Sequence, residues 1–141
     1  MMICQLTHKE ISTWQKKWRD VYASGVFKAM GRWTIEGKDY LAFDRRYMAD
    51  FLQGGAAEVA YADAEARTLV FLFRDERREA GEHWDLGTTR KPSVAEMKEL
   101  TSEGDVHVFP SDLSWTAFFH HEEVIPTYFC RSEWLSGLSE E

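Results

Sequence analysis

Two cysteines and three prolines are all that this chain of 141 residues contains of either type. Cys4 and Cys130 stand near opposite ends of the sequence, without the spacing of a zinc ribbon or a redox pair, so neither a disulfide framework nor a thiolate metal site is expected. A reducing cytoplasm fits that usage best. Long apolar runs are lacking as well. The opening MMICQLTHKE has no basic segment followed by an apolar stretch, and no later run approaches the length that crosses a bilayer, so no targeting signal and no membrane span are expected. The sequence carries no internal repeat, no GxSxG, no phosphate-binding loop, no GxGxxG, no HExxH and no EF-hand loop. No cofactor is expected.

What is abundant is aromatic and acidic. Nine Phe, six Trp and five Tyr accompany 44% hydrophobic and 29% charged residues, the composition of a globular protein. The length suits one domain over residues 1–141, large enough to bury a core without staples. The net charge is −7 and unevenly spread: residues 1–50 carry nine Lys/Arg against six Asp/Glu, and residues 51–141 carry eight against eighteen. An acidic balance of that kind repels phosphate backbones, which argues against general nucleic-acid binding and makes a basic protein partner electrostatically easier. It also serves solubility.

Local patterns give the elements. Thr7 with Glu10 forms a capping box, and Ile11, Trp14, Trp18, Val21 and Tyr22 recur at helical spacing until Ser24-Gly25, which predicts a helix with an aromatic inner face. Arg32 to Ile35 and Tyr40 to Phe43 read as a short hairpin about Glu36-Gly37-Lys38-Asp39. Asp44 caps an expected short helix to Leu52, ended by Gly54-Gly55, and the Ala-rich residues 56–66 suit a second one. Thr68 to Phe73 is β-branched and aromatic on both faces, the pattern of a central strand. Residues 74–91 lack a sustained apolar period and read as an exposed loop, with Trp84 and Leu86 tucked down.

Pro92-Ser93 opens a further helix through a Ser93–Glu96 capping box, with Val94 and Met97 on its inner stripe, to Glu103-Gly104. Val106 to Val108, Leu113 to Phe119 and Thr127 to Arg131 then read as three strands of an antiparallel meander, and Ser132 to Leu138 as a terminal helix. The expected fold is α+β: an antiparallel or mixed central sheet of about four to six strands with helices mainly on one face.

Chemistry concentrates between Asp105 and Glu123. His120, His121, Glu122 and Glu123 follow an apolar strand directly and have the ligand types of a divalent metal or a proton-transfer site. Adjacent residues of a strand point to opposite faces, so His120 with Glu122, or His121 with Glu123, are the expected same-face pairs. Completing a metal shell would need His107, Asp105, Asp112 or Cys130 from neighbouring strands, and no metal is expected on the cluster alone. As catalytic candidates His120, His121 and Glu122 stand out, because a histidine beside a carboxylate is a competent general base. Cys130 paired with a histidine would make a nucleophile, although a cysteine after Tyr128 and Phe129 in a strand is more often inert core. Trp115 and Thr116 suit either a ligand pocket or a strand covered on both faces.

The order of these residues resembles that of a small bacterial domain family of unknown function. The matching residues are Trp18, Tyr40 to Phe43, Gly54 to Ala57 and Thr68 to Phe73, then Asp105, Val108, Asp112, Trp115, Thr116, His121, Glu122, Tyr128 and Phe129. The chain departs from that pattern with His120 where a Thr precedes the His-Glu pair, and with Ile125-Pro126-Thr127 where Gly-Pro stands. The resemblance implies an α+β fold and a cytoplasmic bacterial origin, and it implies no activity. The residues themselves make Asp105, Asp112, Trp115, His121 and Glu122 the candidate binding set.

Three functions follow as expectations. The first is a non-enzymatic binding protein, similar in role to an acidic immunity or antitoxin-like protein that covers a basic partner. The second is a small hydrolase or metal-dependent enzyme centred on His121 and Glu122 at the strand end. The third is an accessory domain that self-associates through an apolar face.

Overall fold

The computed structural model describes residues 2–31, 42–48, 50–74, 79–86, 91–122 and 124–135. Helix α1 spans His8–Tyr22, and its capping box forms as expected: Glu10 N–H donates to Thr7 Oγ1 at 3.2 Å, and Thr7 N–H to Glu10 Oε1 at 2.9 Å. Ile11, Trp18 and Tyr22 form its buried stripe. The chain turns at Ala23 and continues as α2, Ser24–Met30, so Ser24 and Gly25 start a helix rather than end the helical run. A Cβ on Gly25 would lie 1.8 Å from the Tyr47 carbonyl oxygen, so only glycine admits the close crossing of α2 and that segment. Gly31, at φ 70°, closes α2 in the left-handed region.

The expected hairpin over Arg32 to Phe43 lies outside the described residues except for Ala42 and Phe43, the latter stacked on Tyr128 at 4.9 Å. The described residues between Asp44 and Leu52 do not form the expected helix. Asp44 instead turns its carboxylate onto the Arg46 N–H at 2.8 Å and the Arg46 guanidinium at 2.9 Å, a local arrangement that competes with helix propagation. The segment ends in a short edge strand, β2, Leu52–Gln53, followed by α3, Gly55–Asp63.

Strand β3 is Thr68–Arg74, and β4 is Glu79–Asp85. The second corrects the loop expected over residues 74–91. Its Glu-Ala-Gly-Glu-His sequence has little strand pattern because packing on neighbours supplies what propensity does not. Trp84 sits on Phe71 at 4.3 Å, and Gly81 admits Leu6, Ile11 and Leu72 close to the backbone. The N-terminal residues Met2–Gln5 form β1 along the outer edge of β4. Helix α4, Val94–Leu100, starts from the Ser93–Glu96 capping box, and β5 (Asp105–Pro110), β6 (Trp115–Phe119) and β7 (Tyr128–Arg131) form the expected meander. The expected helix from Ser132 is a single 3-10 turn, Ser132–Trp134, among the described residues.

The described strands make one sheet of seven, ordered β1-β4-β3-β5-β6-β7-β2, with all neighbours antiparallel. The fold is therefore α+β with an antiparallel sheet, larger than the expected four to six strands because β1, β2 and β4 lack strand-like sequence. Helices also cover both faces rather than mainly one. Val70, Leu72, Phe109, Phe118 and Cys130 face α1 and α2, packing with Trp18, Tyr22 and Val26. Leu69, Phe71, Val106, Val108, Trp115, Phe119 and Phe129 face α3 and α4, packing with Tyr61 and Met97. This two-sided cover explains why the central strands are apolar at successive positions. Among the described residues no helix is long and apolar enough to cross a membrane.

Candidate functional site

Asp105 begins β5, and β6 ends at Phe119, paired with Val106. Antiparallel pairing thus carries the chain leaving β6 back beside Asp105. Because the strand stops at Phe119, the alternation expected beyond it fails, and His120 and His121 lie together rather than on opposite faces. Their rings stack at 4.5 Å with 21° between planes. Both approach the same carboxylate oxygen: Asp105 Oδ1 is 2.6 Å from His121 Nδ1 and 3.5 Å from His120 Nε2, and it also accepts the His121 backbone N–H at 3.2 Å.

Hydrogen bonding sets where the protons sit. The Glu122 backbone N–H donates to His120 Nδ1 at 2.9 Å, so neutral His120 carries its proton on Nε2. In the neutral ring the 2.6 Å contact to the Asp105 carboxylate oxygen makes His121 Nδ1 the donor, which leaves His121 Nε2 as the lone-pair nitrogen, 3.7 Å from Glu122 Oε1. The His120 side chain is 4% exposed and that of His121 39%, so only the second ring meets solvent broadly. Burial, with a contribution from His121, holds His120 below the usual histidine range against the opposing pull of Asp105 and Glu122.

One row further in, His107 is buried between Trp18 and Phe118, with ring centroids 4.7 and 4.5 Å away. Among the described residues its buried Nδ1 has no hydrogen-bond partner. Burial, helped by the charges of Arg74 and Arg19, pushes its pKa down to about 3, and the ring is neutral.

Of the residues singled out in the sequence, Asp105, His120, His121 and Glu122 come together; Asp112 and Trp115 do not join them. Asp112 lies in the turn at the other end of the β5–β6 hairpin and accepts the Ser114 N–H at 2.9 Å. Trp115 is 1% exposed, with its indole N–H donating to the Glu65 carbonyl at 3.2 Å and its ring set edge-on to Tyr61 and stacked near Phe129. Thr116 accepts the Trp18 indole N–H at 2.9 Å. Both belong to the core. Cys130 is buried, its thiol directed at the Asp50 carbonyl oxygen at 3.2 Å, and burial pushes it up to about 12, which removes it as a nucleophile. Glu123 lies outside the described residues.

Lys91 takes a place in the structure that no local sequence pattern marks. It lines a cavity of about 690 Å³ with Ala64, Arg67, Leu86, Pro92 and Val94, at the end of β3 remote from Asp105. Its ammonium donates to the Ala62 and Ala64 carbonyls at 2.9 and 2.6 Å, closing the C-terminal end of α3. Burial lowers its pKa despite Asp63 and Glu65. A lysine so far along the sequence from the helix it closes leaves no local signal. Compared with known proteins, the chain matches no family model, no curated protein and no solved structure.

Proposed function

We propose that this chain is a non-enzymatic bacterial binding protein that docks a basic protein partner, in the manner of an acidic immunity or antitoxin-like protein. The observation that carries this reading is the division of charge between the two sides of the sheet. Helices α1 and α2 together hold five Lys/Arg against two Asp/Glu, whereas α3 and α4 hold one against four. On the acidic side Val59 is 63% exposed and Leu100 40% exposed. Exposed apolar side chains on an acidic side suit a partner of opposite charge, because the field speeds encounter and desolvated apolar groups slow release. Lys98 pairs with Glu58 on that side, at 3.2 Å. Asp63, Glu65 and Glu99 are exposed.

The test is affinity capture from a bacterial extract with the wild-type chain, the triple variant Asp63→Lys/Glu65→Lys/Glu99→Lys, and Lys16→Glu/Lys17→Glu on the opposite side. The reading expects a basic protein retained by the wild type and by the α1 variant and lost with the triple variant. Recovery that ignores the triple reversal, or recovery of acidic proteins only, overturns it.

A second reading is a small hydrolase centred on His121 and Glu122. It is favoured by the 2.6 Å contact of His121 Nδ1 with Asp105, which orients Nε2 outward as a base. Hydrolysis of phosphate and acyl esters that disappears in His121→Ala, with the fold retained, would favour it over docking.

A further inference from the structure

The geometry points to a binding site for a divalent transition-metal ion, formed by Asp105 Oδ1, His120 Nε2 and His121 Nδ1. It rests on neither reading of the protein's function and lies on other elements than the acidic helices. Each of the three residues offers one ligand atom within 4.8 Å of the others, and two imidazoles with one carboxylate favour zinc, nickel, cobalt or copper over magnesium or calcium. Donors on one tetrahedral ion with bonds of about 2.0–2.1 Å stand roughly 3.4 Å apart. Asp105 Oδ1 and His120 Nε2 already have that separation, at 3.5 Å. Asp105 Oδ1 and His121 Nδ1, at 2.6 Å, share a proton and would open by about 0.8 Å once an ion replaced it.

Ligation also dictates what the neighbours do. With Nδ1 on the metal, neutral His121 must carry its proton on Nε2, where Glu122 Oε1 stands 3.7 Å away as the acceptor, the carboxylate–histidine–metal arrangement that orients such ligands. His120 can ligate through Nε2 only when its proton moves to Nδ1, and Nδ1 at present accepts the Glu122 N–H. Metal binding therefore turns that amide away. The ion and the hydrogen-bonded cluster are alternative occupants of one place: ligation moves each ring proton to the opposite nitrogen, and protonation of either imidazole competes with the ion.

The experiment uses the full chain without an affinity tag, stripped by chelator and titrated calorimetrically with Zn²⁺ at about pH 7.5 and about pH 6.5. The expected result is one ion per chain, bound more weakly at the lower pH, with affinity reduced at least tenfold in Asp105→Asn and in His121→Gln and unchanged in His8→Gln. No binding, or binding equal in Asp105→Asn and His121→Gln, overturns the site. Should Asp105→Asn fail to fold, Co²⁺ added to the ¹⁵N-labelled wild type decides. Paramagnetic broadening centred on the amides of Asp105 and of residues 120–122, the Glu122 amide among them, supports the site, and broadening centred elsewhere overturns it.

Discussion

The indole N–H of Trp18 donates to the hydroxyl of Thr116 at 2.9 Å, across 98 positions of sequence, and both side chains are buried. The hydroxyl in turn donates to the Val108 carbonyl at 3.4 Å, which links α1 through β6 to β5. Thr116→Val keeps the shape and leaves the indole N–H without an acceptor. The expected loss is about 1–3 kcal/mol, the penalty for an unsatisfied buried donor. Urea unfolding followed by tryptophan fluorescence measures it; a change below a few tenths would mean that the bond contributes little.

Gly25 tests the crossing of α2 over the Asp44 turn. A methyl group there would meet backbone, at 1.8 Å from the Tyr47 carbonyl oxygen, rather than a flexible side chain. Gly25→Ala is therefore expected to destabilise by about 1–3 kcal/mol, opposite to the gain that alanine gives at an open helical position. A thermal melt unchanged from wild type would show that the segments separate without penalty.

His107 sets a pH dependence. Its folded pKa, depressed to about 3 by burial with help from Arg74 and Arg19, lies below its unfolded value of about 6.5. The neutral ring thus contributes stability above about pH 6.5 that is lost as pH falls toward the folded value, because the unfolded chain takes up the proton first. His120, also depressed, adds in the same direction. In the presence of chelator, His107→Phe is expected to flatten the acid limb of the stability profile between about pH 6.5 and pH 4. An acid limb of undiminished slope in the variant would contradict this.

The two cysteines should separate cleanly by reactivity. Cys4 is exposed, whereas Cys130 is buried and its thiol is raised to about 12 by desolvation and the nearby Asp50 charge. A thiol-titrating disulfide reagent at about pH 8 is expected to modify one thiol rapidly and the other only after denaturant is added. Rapid native reaction of both would mean that the cover over β7 opens readily.

What could be read beforehand divides along physical lines. The capping boxes at Thr7 and Ser93, the strand from Thr68 and the meander from Val106 were legible because short-range chemistry and apolar pattern agree there. Strands β4 and β1 were not, since Gly81, Glu82 and His83 become strand only by pairing with β3 and by packing against Leu6 and Ile11. Asp44 carries a cap signal that ends in a turn, because its own carboxylate holds Arg46. In the site, the meeting of Asp105 with the histidines was visible in residue type. Alternation misled on their relative placement, because it holds only while the strand lasts, and β6 stops one residue before His120. Asp112 and Trp115, adjacent to the site in sequence, are removed from it by the length of the hairpin and by burial.

The proposed function has the acidic α3/α4 side bind a basic protein. Its most direct measurement is the association rate between the purified chain and the basic protein it captures, recorded against salt concentration for the wild type and for Asp63→Lys/Glu65→Lys/Glu99→Lys. The account predicts a wild-type rate that falls steeply as salt screens the charges, and a variant slower by roughly tenfold or more at low salt. A rate insensitive to salt and equal in the two proteins would contradict it.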